Sequence, residues 1–492
     1  MSVFLGVDIG TSSTKGVLVH ADGTIIGQAV RHHRPTRPHP GHVEMAMELW
    51  WEEFISLARE LGDGHSVSAV GVSGMGPCVG LADHDGIPTR PAILYGVDTR
   101  STPQVDRLTG ELGADALLAR CGSVLSSQAA GPKIQWVAEN EPDVFARSTR
   151  FFMPASWLAW NLTGAYVLDH QSASQCTPLY DIESHEWFDS WALPITRHLE
   201  LPHLVWAHSV IGAVTEDAAL ATGLPAGIPV IAGTIDAWTE AVSVNGHGIG
   251  DLMLMYGTTM FLINTVPQPV RVPTLWGTVG AFPGTHCLAG GMATSGAVME
   301  WVREVTGGSN HETLMREAGT SGHGARGLLM LPYFAGERTP ISDPDARGVI
   351  IGLTTEHSPA DLYRAGLEAT AFGVRHNIDT MRAAGGDIRR LVAVGGGTQG
   401  DLWMQIVSDV TGLRQDVPAV TVGASFGAAY LAARAVTSVS IDEWNPVLRT
   451  VEPDSSTRDF YDQRFALYRE LYSATAPIVH ALAQSPRREP KT

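Results

Sequence analysis

Three short segments of this 492-residue chain gather the residue types that phosphate chemistry uses. The first is Asp8-Ile9-Gly10-Thr11-Ser12-Ser13-Thr14-Lys15, a carboxylate ending an apolar run, then a hydroxyl-rich turn and a lysine. Successive backbone N–H groups and hydroxyls in such a turn can enfold phosphate, and Asp8 can hold Mg²⁺ directly or through water. It is not a Walker A loop, because Gly16 follows Lys15 instead of preceding it. A plain hairpin turn, with a glycine and hydroxyls that satisfy only local geometry, stays open as the second reading. Gly257-Thr258-Thr259 repeats the strand–turn–strand pattern in the other half of the chain, so that two hairpins would face one polyphosphate. Gly395-Gly396-Gly397 follows the apolar run 391–394. Glycines there let backbone approach a ligand closely, and a helix start behind them favours anions or a nucleotide.

A fourth segment, AGTIDAW (232–238), places Asp236 at a strand end and helix start. A helix N-cap is the common role of aspartate there. The chemical alternative is a general base that takes a hydroxyl proton as phosphate arrives.

The elements that must carry these residues follow from periodicity. Val3, Leu5 and Val7 alternate, residues 17–19 form a second strand, and Asp22-Gly23 turns the chain into a third. A Pro-rich loop (34–42) contains no strong pattern, and His32-His33 beside it reads as solvated. Residues 47–62 have helical spacing, with Gly62 as a C-cap, and 66–75 read as a buried strand. The order β-β-β-α-β predicts a mixed sheet and an α/β fold. Residues 100–200 are helical with many tryptophans, expected in the core and in pocket walls. Two strands at 251–265 follow, then helices at 295–307 and 358–385, a strand ending at 394, a helix from Asp401 and another at 422–435. The tail from about 440 reads as a helix with a frayed end, SPRREPKT. A boundary near 243–250 divides the chain into domains 1–245 and 246–492, as its length requires more than one core.

Composition excludes some classes. Lys+Arg 33 against Asp+Glu 51 gives a net charge of −18, which argues against a nucleic-acid or anionic-membrane surface. Phosphate binding survives that charge, because backbone N–H groups can supply it locally. The four cysteines are far apart with no metal-ligand spacing, and no run of spanning length is present, so a cytoplasmic protein is expected.

Taken together and in order, these segments resemble the FGGY family of carbohydrate kinases, in the actin/hexokinase/Hsp70 superfamily. GVDIGTSSTKGVL is similar to the family's first phosphate motif, YGTTM to its second, AGTIDAW to the segment of its catalytic aspartate, and VGGGTQGDLWMQIVSDVTG to its adenosine motif. RGVIIGLTTEHSPADLYRAGLE resembles its C-terminal signature, with Gly366 where a larger residue is usual, and LPYFAGERTP is especially like xylulose kinases. The resemblance implies two ribonuclease-H-like domains, each a mixed sheet flanked by helices, with a central cleft. Sugar would lie mainly on the first domain and ATP on the second.

Carried over by position, Asp236 would be the base, and Asp8 would place Mg²⁺. Gly10, Thr11, Ser12, Ser13 and Lys15, with Gly257, Thr258 and Thr259, would hold phosphates. Gly395, Gly396 and Gly397 would line the adenosine site. On the sugar side the chain departs from xylulose kinases: SGMGPC (73–78), with Met75 and Gly76, stands for their S-G-Q-M-H-G, and YGVDTR (95–100) for W-N-D-x-R. Asp98 and Arg100 still offer an acceptor and a donor fork, with a surface ion pair as the plainer reading. Ala237 follows Asp236 where xylulose kinases place Asn.

The expected activity is ATP-dependent phosphorylation of a ketopentose, xylulose first. The alternatives are another pentulose, a deoxyketose or a polyol such as glycerol or erythritol, or a nucleotide-driven switch without catalysis. The expected partner is a small sugar or polyol, with neither nucleic acid nor membrane. Similar kinases are commonly dimers, so a homodimer is compatible.

Overall fold

The computed structural model describes residues 2–307 and 310–483. The terminal stretch SPRREPKT lies outside the described residues. Contacts divide the chain into two units, the first being Met1–Ile249, Thr265–Cys287 and Val420–Pro446. The second is Gly250–Asn264, Leu288–Ala419 and Val447–Thr492.

In chain order the elements that matter begin with β1 (Val3–Ile9), β2 (Ser13–His20), β3 (Ile25–His32), α1 (Met47–Gly62), β4 (Val67–Gly74) and α2 (Pro154–Thr163). Next come β5 (Val210–Ala213), β6 (Pro229–Ile231), β7 (Thr234–Ile235) and α3 (Asp236–Ser243). The second unit contributes β8 (Asp251–Tyr256), β9 (Met260–Val266), β10 (His286–Met292), α4 (Gly296–Val305), α5 (His311–Thr320) and α6 (Pro359–Ala383). It continues with β11 (Arg390–Val394), α7 (Asp401–Thr411) and β12 (Gln415–Pro418). After α8 (Ala424–Val436), which belongs to the first unit, come β13 (Val447–Val451) and α9 (Arg458–Ala483).

The first sheet runs β5-β6-β4-β1-β2-β3, with β7 also on β4. β1 pairs antiparallel with β2 and parallel with β4. Alternation in β1 sorts residues between two cores, not between core and water. Val3, Leu5, Val7 and Ile9 join Trp50, Phe54 and Trp157 of α1 and α2 on one face. Phe4 joins Phe426 and Tyr430 of α8 on the other. Gly6 and Gly71 are there because α8 lies directly on the backbone: a Cβ on either would fall about 2 Å from a carbonyl oxygen, Ser425's and Ala428's (2.0 and 1.9 Å). The Gly62 cap is a small correction. α1 includes Gly62, and Gly64 takes the left-handed conformation at φ 73°.

The second unit repeats this plan. Its sheet contains β10-β9-β8-β11-β12-β13, with β8 antiparallel to β9 and parallel to β11. The weak likeness of the two hairpins in sequence is therefore a likeness of topology. All four cysteines are free and buried, as expected without a disulfide framework. Among the described residues no helix is long and apolar enough to cross a membrane.

Candidate active site

Register assembles the carboxylates of the first unit. In the parallel pair β1–β4, Asp8 lies opposite Ser73, and in β4–β7 the same Ser73 lies opposite Thr234. Asp236 then begins α3, two residues after Thr234. Neighbouring C-terminal strand ends are where open α/β sheets bind ligands, since side chains and helix N-termini converge there. Asp236 is not the N-cap. That position is Ile235, and Asp236 Oδ1 accepts the Ala237 N–H at 2.7 Å from within the first turn.

Asp236 keeps part of its surface open, yet enough protein surrounds it to lift its carboxyl to about 6 by desolvation. Asp8 is more deeply buried. Desolvation, and then the charge of Asp236, push it to about 8, while the Ser73 hydroxyl and Lys15 act in the opposite direction. A third carboxylate, Glu240, completes the group one helical turn after Asp236. Burial and Asp236 lift it to about 7, against the pull of Lys15. Sequence reading passed over Glu240, although its i,i+4 spacing from Asp236 was available once a helix began there.

The turn after β1 is held from behind. Gly10 N–H donates to the Ser13 carbonyl at 3.0 Å, and Thr11 Oγ1 bonds Tyr95 Oη at 2.8 Å. His33, expected in solvent, is instead buried against this turn, with one ring nitrogen on the Gly10 carbonyl and the other on Glu53. Ser12 and Lys15 are exposed.

Of the sugar-side candidates, Gly76 is half-buried while Met75, Asp98 and Arg100 are buried. Asp98 and Arg100 are not the surface pair that was the plainer reading. The Arg100 guanidinium donates to both oxygens of Asp98, from Nε at 3.0 Å and Nη2 at 2.7 Å, and from Nη1 to Glu44 at 2.6 Å. Asp98 Oδ2 also accepts the Val43 N–H at 2.6 Å. Their polar groups are thus turned to one another and to nearby backbone. Lys133, fully buried nearby, donates to the Ser127 carbonyl, and desolvation holds it down to about 8.

In the second unit, Gly257, Thr258, Gly396 and Gly397 line one cavity of about 980 Å³, together with His311 and Gln399. Two motifs 140 residues apart in sequence thereby share one wall. The β8–β9 turn is fixed by the start of α4, where Ser295 and Gly296 donate to the Thr258 and Gly257 carbonyls at 2.9 and 3.0 Å. Gly395 and Thr259 are not among the lining residues. Gly395 is needed for packing, with φ 92° and room for a Cβ only 2.3 Å from the Tyr256 carbonyl oxygen. His311 was not legible beforehand. It is placed by bonds to Glu300 (2.8 Å) and the Tyr363 hydroxyl (3.0 Å), from two other helices.

This arrangement, carboxylates at the strand ends of one mixed sheet and a glycine-lined cavity in a second of the same plan, is that of a phosphotransferase of the actin-like ATPase fold. The N- and C-terminal domain models of the FGGY family of carbohydrate kinases match residues 3–243 and 252–436, and the chain belongs to this family, whose members are ATP-dependent sugar kinases. It is 29% identical over 489 residues to xylulose kinase of Escherichia coli, covering 97% of this chain and 100% of that protein. It is 31% identical to glycerol kinase 2 of Streptomyces avermitilis, covering 94% of this chain and 95% of that protein. The crystal structure of xylulose kinase from Rhodospirillum rubrum superposes with a TM-score of 0.91 at 29% identity, over 97% of this chain and 100% of that one.

Proposed function

We propose that this kinase phosphorylates a ketopentose, xylulose first, and that Asp236 takes the proton of the accepting hydroxyl. The observation that carries the role of Asp236 is its place: first residue of α3, beside Asp8, partly open to solvent, and raised to about 6. At neutral pH such a carboxyl is ionised yet more basic than a free aspartate, which suits a general base. The hydroxyl oxygen bonds to the γ-phosphorus as the bond to the β-phosphate bridging oxygen breaks. The proton passes to Asp236, and ADP leaves.

The first unit holds the sugar and the second the nucleotide. Gly10, Thr11, Ser12, Ser13 and Lys15 hold phosphate on the first unit, and Gly257, Thr258 and Thr259 on the second. Gly396 and Gly397 bound the nucleotide cavity, with Gly395 fixing their turn. The Gly76 backbone meets the sugar, while Met75, Asp98 and Arg100 hold its frame.

A divalent cation fits this residue set. Asp8 Oδ1 is buried with no hydrogen-bond partner, and the carboxyls of Asp236 and Glu240 add negative charge around it. Asp8 would hold Mg²⁺, directly or through water, and the ion would offset charge on the phosphates. A polyol acceptor is the second reading, favoured by Pro77 and Ala237 in the sugar segments and by the likeness to a glycerol kinase. The test is ADP release from Mg²⁺-ATP across pentuloses, hexuloses and polyols, with Asp236→Ala as control. Stimulation by xylulose that the variant loses supports the proposal, and stimulation by glycerol alone replaces the acceptor.

A further inference from the structure

His33 follows β3, and its side chain is 4% exposed. Its Nε2 lies 2.9 Å from the Gly10 carbonyl oxygen, and its Nδ1 lies 2.9 Å from Glu53 Oε2. The same Glu53 oxygen accepts the Thr14 hydroxyl, and the His33 backbone N–H donates to the Ser12 carbonyl at 3.1 Å. Residues 10, 12 and 14 of the turn are therefore each tied to His33 or Glu53. Among the described residues, the amides of Thr11 and Ser12 have no protein partner.

Hydrogen-bond accounting sets the protons. A carbonyl oxygen only accepts, so Nε2 carries a hydrogen. The bond between Nδ1 and the carboxylate needs one more, since two lone pairs would otherwise face each other. That proton lies between His33 Nδ1 and Glu53 Oε2 and ties the ring to α1.

We propose that His33 and Glu53 are positioning residues of the phosphate turn. The His33 Nε2–H draws the Gly10 carbonyl to itself and the His33 backbone N–H draws that of Ser12, leaving the Thr11 and Ser12 amides for a polyphosphate. The proposal rests on reading this turn as a phosphate site, so its ligand is the β- and γ-phosphates of a nucleoside triphosphate, with no call on the nucleoside.

Two measurements test it. Ring-nitrogen NMR of ¹⁵N-histidine-labelled protein, with His33 assigned through His33→Gln, is expected to show a proton on its Nε2. A ring whose Nε2 carries no proton overturns the proposal without any dependence on how a variant folds. Calorimetry then compares a non-hydrolysable ATP analogue with AMP. His33→Leu and Glu53→Gln are expected to weaken the analogue about tenfold, as for a lost buried hydrogen bond, and to leave AMP unchanged. Equal losses for both ligands, or no loss, overturn the positioning role. If the unaltered protein fails to bind the analogue, the phosphate reading falls instead, while the NMR result still decides the pair.

Discussion

Glu240 stands one helical turn beyond Asp236 on α3, and the charge of Asp236 raises its proton affinity. Burial is the larger cause of the rise in both carboxyls, and at Glu240 the pull of Lys15 outweighs what Asp236 adds. Lys15, which lowers both Glu240 and Asp8, is the opposing charge.

Removing the base tests the mechanism directly. Asp236→Asn is expected to lower kcat by about 10²–10⁴-fold, the range for a lost general base. Affinity for ATP and the thermal midpoint should stay near those of the unaltered protein. A variant that turns over normally takes Asp236 out of the reaction.

The pH profile should carry the same signature. With Asp236 raised to about 6, kcat/KM is expected to fall as pH drops through that value. In Glu240→Gln the limb should stay near the same pH, because burial is what raises Asp236. An acid limb at about pH 4, where an ordinary carboxylate titrates, would reject Asp236 as the titrating group.

Stability should depend on pH in the opposite sense from an ordinary salt-bridged carboxylate. Unfolded, Asp8, Asp236 and Glu240 release their protons near pH 4, roughly their unperturbed values. Folded, they keep them to about 8, 6 and 7. Between those limits the folded state binds more protons, so this contribution is fully present below the window and is lost as pH rises across it. Differential scanning of ligand-free protein from pH 5 to pH 8 should show a falling midpoint, with a shallower fall in Glu240→Gln. A rising midpoint that Glu240→Gln leaves unchanged would reject the assignment.

The two glycines of the cavity wall, Gly396 and Gly397, should separate. A Cβ on Gly396 meets nothing within 4 Å, whereas one on Gly397 lies 2.7 Å from Trp403 and 2.8 Å from Tyr256. Gly396→Ala is therefore expected to fold normally and weaken ATP by intruding on the cavity. Gly397→Ala should cost about 1–3 kcal/mol in urea unfolding, the usual cost of overpacking. Equal stability for the two would contradict the packing described.

Asp98 is expected to matter for folding before substrate. Asp98→Ala leaves the buried Arg100 with Glu44 alone, and breaking a buried pair typically costs about 3–5 kcal/mol. Urea denaturation measures it, and a loss below 1 kcal/mol would return Asp98 to the list of free sugar ligands.

Much of this was legible from residues and spacing. The hairpin around Gly10, the strand–helix junction at Asp236 and the glycine run after β11 were readable because local backbone rules decide them. Glu240 was readable in principle but needed the helix start first. His33 was not, because its sequence neighbours are prolines and arginines and its partners, Gly10 and Glu53, come from other elements.

By itself, then, the sequence determined the order of elements, the hydroxyl- and glycine-rich turns, the residue that begins α3 and the family. Those follow from periodicity, turn chemistry and short motifs, which act over a few residues. Tertiary structure decided which groups are spent and which are free. Only strand register places Asp8 level with Ser73 and Thr234, and only folding turns Asp98 and Arg100 onto each other and leaves Asp8 Oδ1 without a partner. Desolvation and pairing depend on what surrounds a side chain in space, and the neighbours that set them here lie up to more than two hundred residues away along the chain.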